Sequence, residues 1–131
     1  MNLSDALQHG LKEVPKCVAV GFIDMDTSMV LAHKTTESHP QEVFDFLGAA
    51  TKDLFEGENV ITIEKIFKKS RGVKNDEKYF REIIILSKNL IHVFARLHSN
   101  ERVISCVVCQ GDANLGLVIL KAKVLAKEVT V

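Results

Sequence analysis

Hydrophobic and polar positions alternate with different periods along this chain, and the clearest signal lies between residues 79 and 110. There YFREIIILSKNLIHVFARLHSNERVISCVVCQ predicts three consecutive β-strands, over 79–87, 90–97 and 102–110. β-Branched and aromatic residues fill all three, which suits a pleated, packed surface. Lys88 and Asn89 separate the first two strands, with Asn89 offered as a positive-φ residue for a two-residue hairpin turn. Ser99, Asn100 and Glu101 separate the second and third. Ile83, Ile84, Ile85 and Leu86 run without a polar break. Successive side chains of a strand point to opposite faces, so the run predicts a strand covered on both.

The rest of the chain reads as helices and two further strands. Leu3, Leu7, Leu11 and Val14 share one helical face, Asn2 or Ser4 can cap that helix, and Pro15 ends it. Residues 17–23 (CVAVGFI) form an apolar run read as a buried strand. A polar turn over 24–28 leads to a second strand over 29–32. Gly21 predicts a bulge or a close backbone approach. A second helix begins at Ser38, with Pro40 in its first turn and Gln41 at capping-box spacing from Ser38. Its apolar residues Val43, Phe44, Phe46, Leu47, Ala50, Leu54 and Phe55 spread over more than one face. A helix that covers only its own sheet needs one stripe of roughly 100°. The surplus packs either beneath a neighbouring loop or against another helix, and Gly48 would permit close packing in the second case.

Residues 57–73 fit a helix on Val60, Ile63, Ile66 and Phe67, with Asn59 as cap and Gly72 as stop; a short strand over 60–63 is the alternative. Lys65, Lys68, Lys69 and Arg71 make this the most basic part of the chain, read as a solvated face against a phosphate site. A polar loop over 74–78 follows. The last helix spans 115–129 on the stripe Leu115, Val118, Ile119, Ala122, Leu125, Ala126 and Val129, with Lys121, Lys123 and Lys127 on its outer side. The order is α-β-β-α-(α)-β-β-β-α. The expected fold class is α+β, one five-stranded antiparallel sheet with helices on both faces, an arrangement that resembles profilin-like sandwiches.

Composition narrows the function. The 131 residues suit one domain, residues 1–131, able to bury about two thirds of its unfolded surface. Lys+Arg and Asp+Glu are both 17, which disfavours nucleic acid or an anionic membrane as main partner. No apolar run approaches the ~20 residues of a membrane span and the N-terminus has no signal-peptide layout, so a cytoplasmic protein is expected. Cys17, Cys106 and Cys109 read as reduced, packed thiols. Cys106 and Cys109 match C-x-x-C by letter, but odd separation on a strand sends them to opposite faces and no second pair completes a zinc site.

No P-loop, dinucleotide fingerprint, H-E-x-x-H or nucleophile elbow occurs. The histidines are scattered: His92 and His98 share strand parity about 20 Å apart, and His33 and His39 lack a third ligand. Asp24 and Asp26 suit turn capping better than catalysis. No catalytic residue, cofactor or metal is assigned, and the chain is expected not to be an enzyme.

In this order of elements the chain resembles the roadblock/dynein light chain family. The short opening helix before VAVGFIDMDTSMV, the broad second helix from Pro40, the three-strand meander and the ending GDANLGLVILKAKVLAKEV carry the resemblance. Ala113-Asn114-Leu115-Gly116-Leu117 is most similar to the bacterial branch, whose best-known members regulate a gliding-motility GTPase. The segment 57–78 is longer and more basic than that pattern. The resemblance implies a homodimer in which second helices pack together and third strands pair across a two-fold axis. Val43, Phe44, Phe46, Leu47, Ala50, Leu54, Phe80, Glu82 and Ile84 would then form the interface. It also implies a non-catalytic regulator or scaffold for a Ras-like small GTPase. Two other classes stay open: a profilin-like sensor holding a small ligand between sheet and helix, and an enzyme using Cys106 or Cys109 with a histidine, which requires a partly exposed thiol of lowered pKa.

Overall fold

A computed structural model describes residues 1–37 and 41–131, with the backbone alone for Gln41, Glu42, Phe44 and Asp45. Helix α1 (Leu3–Glu13) starts where Asn2 Oδ1 accepts a hydrogen bond from Asp5 N at 2.8 Å, so Asn2 rather than Ser4 is the cap. Strands β1 (Cys17–Asp24) and β2 (Val30–Thr35) form a hairpin, followed by helices α2 (Gln41–Glu56) and α3 (Glu58–Arg71). The meander is β3 (Glu82–Leu86), β4 (Leu90–Arg96) and β5 (Val103–Gln110), and α4 (Leu115–Glu128) closes the chain. The expected capping box at Ser38 and Pro40 lies outside the described residues.

The five strands make one sheet in the order β2-β1-β5-β4-β3, every pair antiparallel. The crossover between β2 and β3 carries α2 and α3, so the first hairpin joins the meander through the central β1–β5 pair. This is the α+β sandwich that the sequence predicts. On one face α1 and α4 cover a core that includes Val20, Phe22, Val93, Val107, Cys109, Val118 and Leu125. On the other, Phe55 of α2 packs with Ile23, Met25, Phe94, Ile104 and Cys106. Cys106 and Cys109 therefore lie on opposite faces, as strand parity requires.

Several local expectations are corrected. Gly21 is regular; the β1–β2 irregularity falls between Phe22 and Ile23. Among the described residues only Lys16, Ser28 and Gly72 have positive φ, so the turn at Lys88–Asn89 closes without a left-handed Asn89. The cap of α3 is Gly57, with no side-chain hydrogen bond, and Asn59 lies inside the helix. Gly72 does stop α3, at φ 67°, donating to Lys68 O and Lys69 O. The outer side of α4 carries exposed Leu117, Leu120 and Val124 beside its lysines. Ile83–Leu86 is not covered on both faces: Ile83 and Ile85 are half-buried, Ile84 and Leu86 exposed.

Helix α2 is fastened at two points. Near its middle, Gly48 lies against the β1–β2 turn, where an added Cβ would stand 2.0 Å from Ser28 O. The expected close approach is thus to a turn and not to a second helix. At its end, Glu56 is buried beneath two arginines of the β4–β5 hairpin. Arg102 grips the carboxylate with both terminal nitrogens, Nη2 at 2.9 Å from Oε1 and Nη1 on Oε2. Arg96, with its guanidinium buried, approaches Oε2 at 3.4 Å and donates to Phe80 O at 2.7 Å and Glu101 O at 2.8 Å. Lys52 donates to Glu56 Oε1 at 3.1 Å and Met25 O at 2.6 Å. Arg102 also reaches Asp26 at 2.9 Å, while Asp24 accepts from Thr27 Oγ1 at 2.8 Å in the turn-capping role expected of it.

Burial works to raise the Glu56 pKa, but the hydrogen bonds from Arg102 and Lys52 outweigh it and hold the carboxyl at about 2. A carboxylate depressed in the folded state stabilises the fold above its unfolded pKa and loses that contribution as pH falls. Glu56→Gln should therefore destabilise the chain by about 3 kcal/mol at neutral pH, read by urea unfolding, because Arg96 stays buried without its counter-charge. The same variant should flatten the fall in stability that the wild type shows from pH 4.5 towards 2. Gly48→Ala should lower stability by ~1–3 kcal/mol, since overpacking against Ser28 exceeds the helix-propensity gain of about 1 kcal/mol.

Candidate interaction surface

With α2 fastened through Gly48, Thr51, Phe55 and Glu56, Phe46 and Ala50 turn away from the sheet, whereas Leu54 packs against the Phe55 core and Val43 and Leu47 border a cleft beside the sheet. Phe46 is 73% exposed and Val43 48%; Ala50 is exposed, and Leu47 and Leu54 are half-buried. The side chain of Phe44 lies outside the described residues. The helical spacing of 43, 46, 47, 50 and 54 puts these residues along one broad side of α2, bordering the Leu47–Thr51–Phe55 row that meets the core. Along it Val43, Phe46 and Ala50 are exposed, and Leu47 and Leu54 grade into the contact with the sheet.

The residues predicted around β3 divide between the faces of the sheet. Phe80 is half-buried against the α2-side core, where Leu54, Ile83 and Ile85 also pack. Glu82 turns to the opposite side, 3.7 Å from Lys123 of α4. Ile84, two residues on, shares that side and is 44% exposed; Leu86, absent from the predicted set, is 63% exposed. The described members of the set are therefore not one patch. Those near the meander share the backbone edge of β3, which pairs with β4 through Ile84 opposite Val93 and, among the described residues, has no strand on its other side.

A row of free N–H and C=O groups flanked by isoleucines is a template for another strand. The other edge, β2, differs: it presents Lys34, a charge that discourages edge-to-edge pairing, although Leu31 is also exposed.

Beside the edge, α3 buries none of its residues. Phe67 stacks on Tyr79 at 5.6 Å, Tyr79 lies 4.9 Å from Phe80, and Tyr79 N donates to Glu64 Oε2 at 2.7 Å. These contacts tie the returning segment along α3 and deliver the chain to β3. Its lysines and arginine stand largely in solvent, except that Lys68 is held by Glu64 at 3.7 Å and Asn75 O at 2.9 Å.

Between the sheet and the N-terminal half of α2 lies a cleft of about 430 Å³, lined mainly by Val18, Val43, Leu47, His92, Cys106 and Val108. Cys106 is buried and its thiol is pushed up to about 12 by burial first and then by the neighbouring Cys17. Cys109 is also raised, by its hydrogen bond with Cys17. Neither meets the requirement of a lowered, partly exposed thiol; Cys17, which sequence reasoning passed over for this role, is the one whose pKa is lowered. Among the described residues no group of three or more His, Cys, Asp or Glu side chains is placed to hold a metal ion. No helix among them is long and apolar enough to cross a membrane.

By sequence the chain matches no family profile and no curated protein. By structure it is similar to the gliding protein MglB of Thermus thermophilus, with TM-score 0.66 and 20% identity over 95% of this chain and 82% of that one. Myxococcus xanthus MglB superposes with TM-score 0.66 and 17% identity, over 93% of this chain and 86% of that one. A roadblock/LC7 domain from Streptomyces avermitilis gives TM-score 0.64 at 10% identity, over 96% and 92%. These superpositions cover at least 93% of this chain and 82% of each of the others, so this chain has the roadblock/LC7 fold, to which the bacterial MglB gliding proteins are similar.

Proposed function

We propose that this chain is a non-catalytic homodimeric regulator or scaffold that binds a Ras-like small GTPase and adjusts its nucleotide cycle or its location. The observation that carries the reading is the pairing of an open, isoleucine-rich edge strand with a helix that turns Phe46 and Val43 outward. Two β3 edges joined across a two-fold axis would satisfy each other's backbone groups and make one continuous sheet. The outer strip of α2 would meet its own copy beside that seam. Likeness to MglB supports the regulatory part, and one similar MglB structure has a tetrameric arrangement. The GTPase itself enters through the family resemblance, and the lack of a P-loop in this chain fits a partner that brings its own nucleotide site. On this reading the chain works in the cytoplasm, alongside that GTPase.

The cleft between sheet and α2 favours a second reading, a sensor for a small, largely apolar ligand, since apolar side chains line most of it while Thr35, Thr36, Glu37, His92 and Gln110 supply polar groups. A ligand that co-purifies and shifts the spectra of Val18, Leu47 and Val108 while the protein stays monomeric would favour the sensor.

Light scattering at micromolar concentration should give twice the 14.6 kDa chain mass, and Phe46→Asp or Ile84→Lys should each yield folded monomer. A monomeric wild type would overturn the dimer. Ras-like GTPases from the source organism, loaded with GDP or with a non-hydrolysable GTP analogue, should bind the dimer with a preference for one nucleotide state. Equal, weak binding in both states would remove the regulatory role while leaving the dimer intact.

A further inference from the structure

Cys17 opens β1 and Cys109 lies near the end of β5, and the register places them directly opposite one another. One rung beyond, Gln110 N donates to Lys16 O at 3.0 Å. A register irregularity between Cys17 and Ala19 turns Cys17 to the same face as Val20 and Phe22, the face that Cys109 also points to. Both thiols lie on the α1/α4 face, Cys109 buried within the core and Cys17 half-buried against it. Cys106 faces the other side of the sheet and cannot reach either.

We propose that Cys17 and Cys109 form a dithiol site that exchanges with a low-molecular-weight disulfide and closes a reversible cross-strand bond. The half-buried Cys17 is the attacking group and the buried Cys109 the resolving one. The hydrogen bond from Cys109 favours the Cys17 thiolate, burial opposes it, and two weaker backbone hydrogen bonds, at Ala19 and Val108, add to the first effect.

The Cys17 thiolate attacks one sulfur of RSSR. The S–S bond breaks and the released RS⁻ takes a proton from water to become RSH. Cys109 then gives its proton to water and attacks Cys17 Sγ, expelling the second RS⁻, which is protonated in turn. Two protein thiols are oxidised and one RSSR is reduced to two RSH.

Directly opposed cysteines on neighbouring strands whose thiols are hydrogen-bonded stand within reach of a disulfide. Exchange with a small dithiol runs the same steps backwards, which makes the site switchable. Closure would fasten the strand that follows α1 to the strand that precedes α4, across the central β1–β5 pair.

The folded full-length chain is incubated with glutathione disulfide, quenched in acid, alkylated and mapped by mass spectrometry. The expected product has lost two hydrogens, links the Cys17 and Cys109 peptides, keeps one alkylated thiol at Cys106, and returns to three alkylated thiols with dithiothreitol. Cys109→Ser should stop at a mixed disulfide on Cys17, and Cys17→Ser should not react. Three free thiols in the wild type after prolonged incubation, or a link through Cys106, would overturn the proposal. Because the wild-type map decides alone, a variant that fails to fold does not blunt the test.

Discussion

One buried carboxylate, Glu56, decides where α2 sits and therefore which of its faces meets solvent. A helix whose apolar residues span more than one side has more than one way to lie on a sheet. Here the choice is made by geometry that hydrophobic burial does not supply: a bidentate arginine on the last turn, a second arginine stacked over Phe55, and a glycine against the backbone of Ser28. The Arg96 guanidinium centres 5.1 Å above the Phe55 ring while that ring meets Phe94 edge-on at 6.4 Å. Charge and ring thus converge on one end of the helix, and the glycine fixes its middle against backbone. A buried ion pair adds little net stability but is costly to break, so its main effect is to exclude alternative seats for the helix.

With α2 held this way, two features stand out among the described residues. One is the outer strip of α2 around Phe46; the other is the free edge of β3. They stand on different physical grounds. The strip exposes apolar area to water, while the edge exposes backbone groups that pair without regard to sequence. That Ile84 and Leu86 alternate with half-buried Ile83 and Ile85 means a strand added at this edge would carry apolar side chains to both faces of the extended sheet.

The same parity governs the cysteines. The three-residue step from Cys106 to Cys109 disposes of the C-x-x-C pattern as a chelate, because a strand cannot turn both thiols to one side. Pairing across the sheet restores what spacing along the strand forbids, and it does so with Cys17, 92 positions away in the chain. The thiol chemistry of this molecule therefore belongs to the sheet register and not to a local motif.

The sequence by itself determined the order of elements, their approximate bounds, the antiparallel meander and the division of Cys106 from Cys109. These follow from period and parity, which are local properties of the backbone. It also marked α2 as too apolar for one interface, since that is a count over helical faces. The tertiary structure was needed to show that α2 turns Phe46 outward while Leu54 joins Phe55 against the core, that Glu82 and Ile84 lie on the α4 side of the sheet and Phe80 on the α2 side, and that Ile84 and Leu86 stay uncovered. It alone brought Glu56 to Arg96 and Arg102, and Cys17 to Cys109. Each of those pairings joins residues 40 or more positions apart, and depends on which strand ends beside which; hydrophobic periodicity carries no information about that.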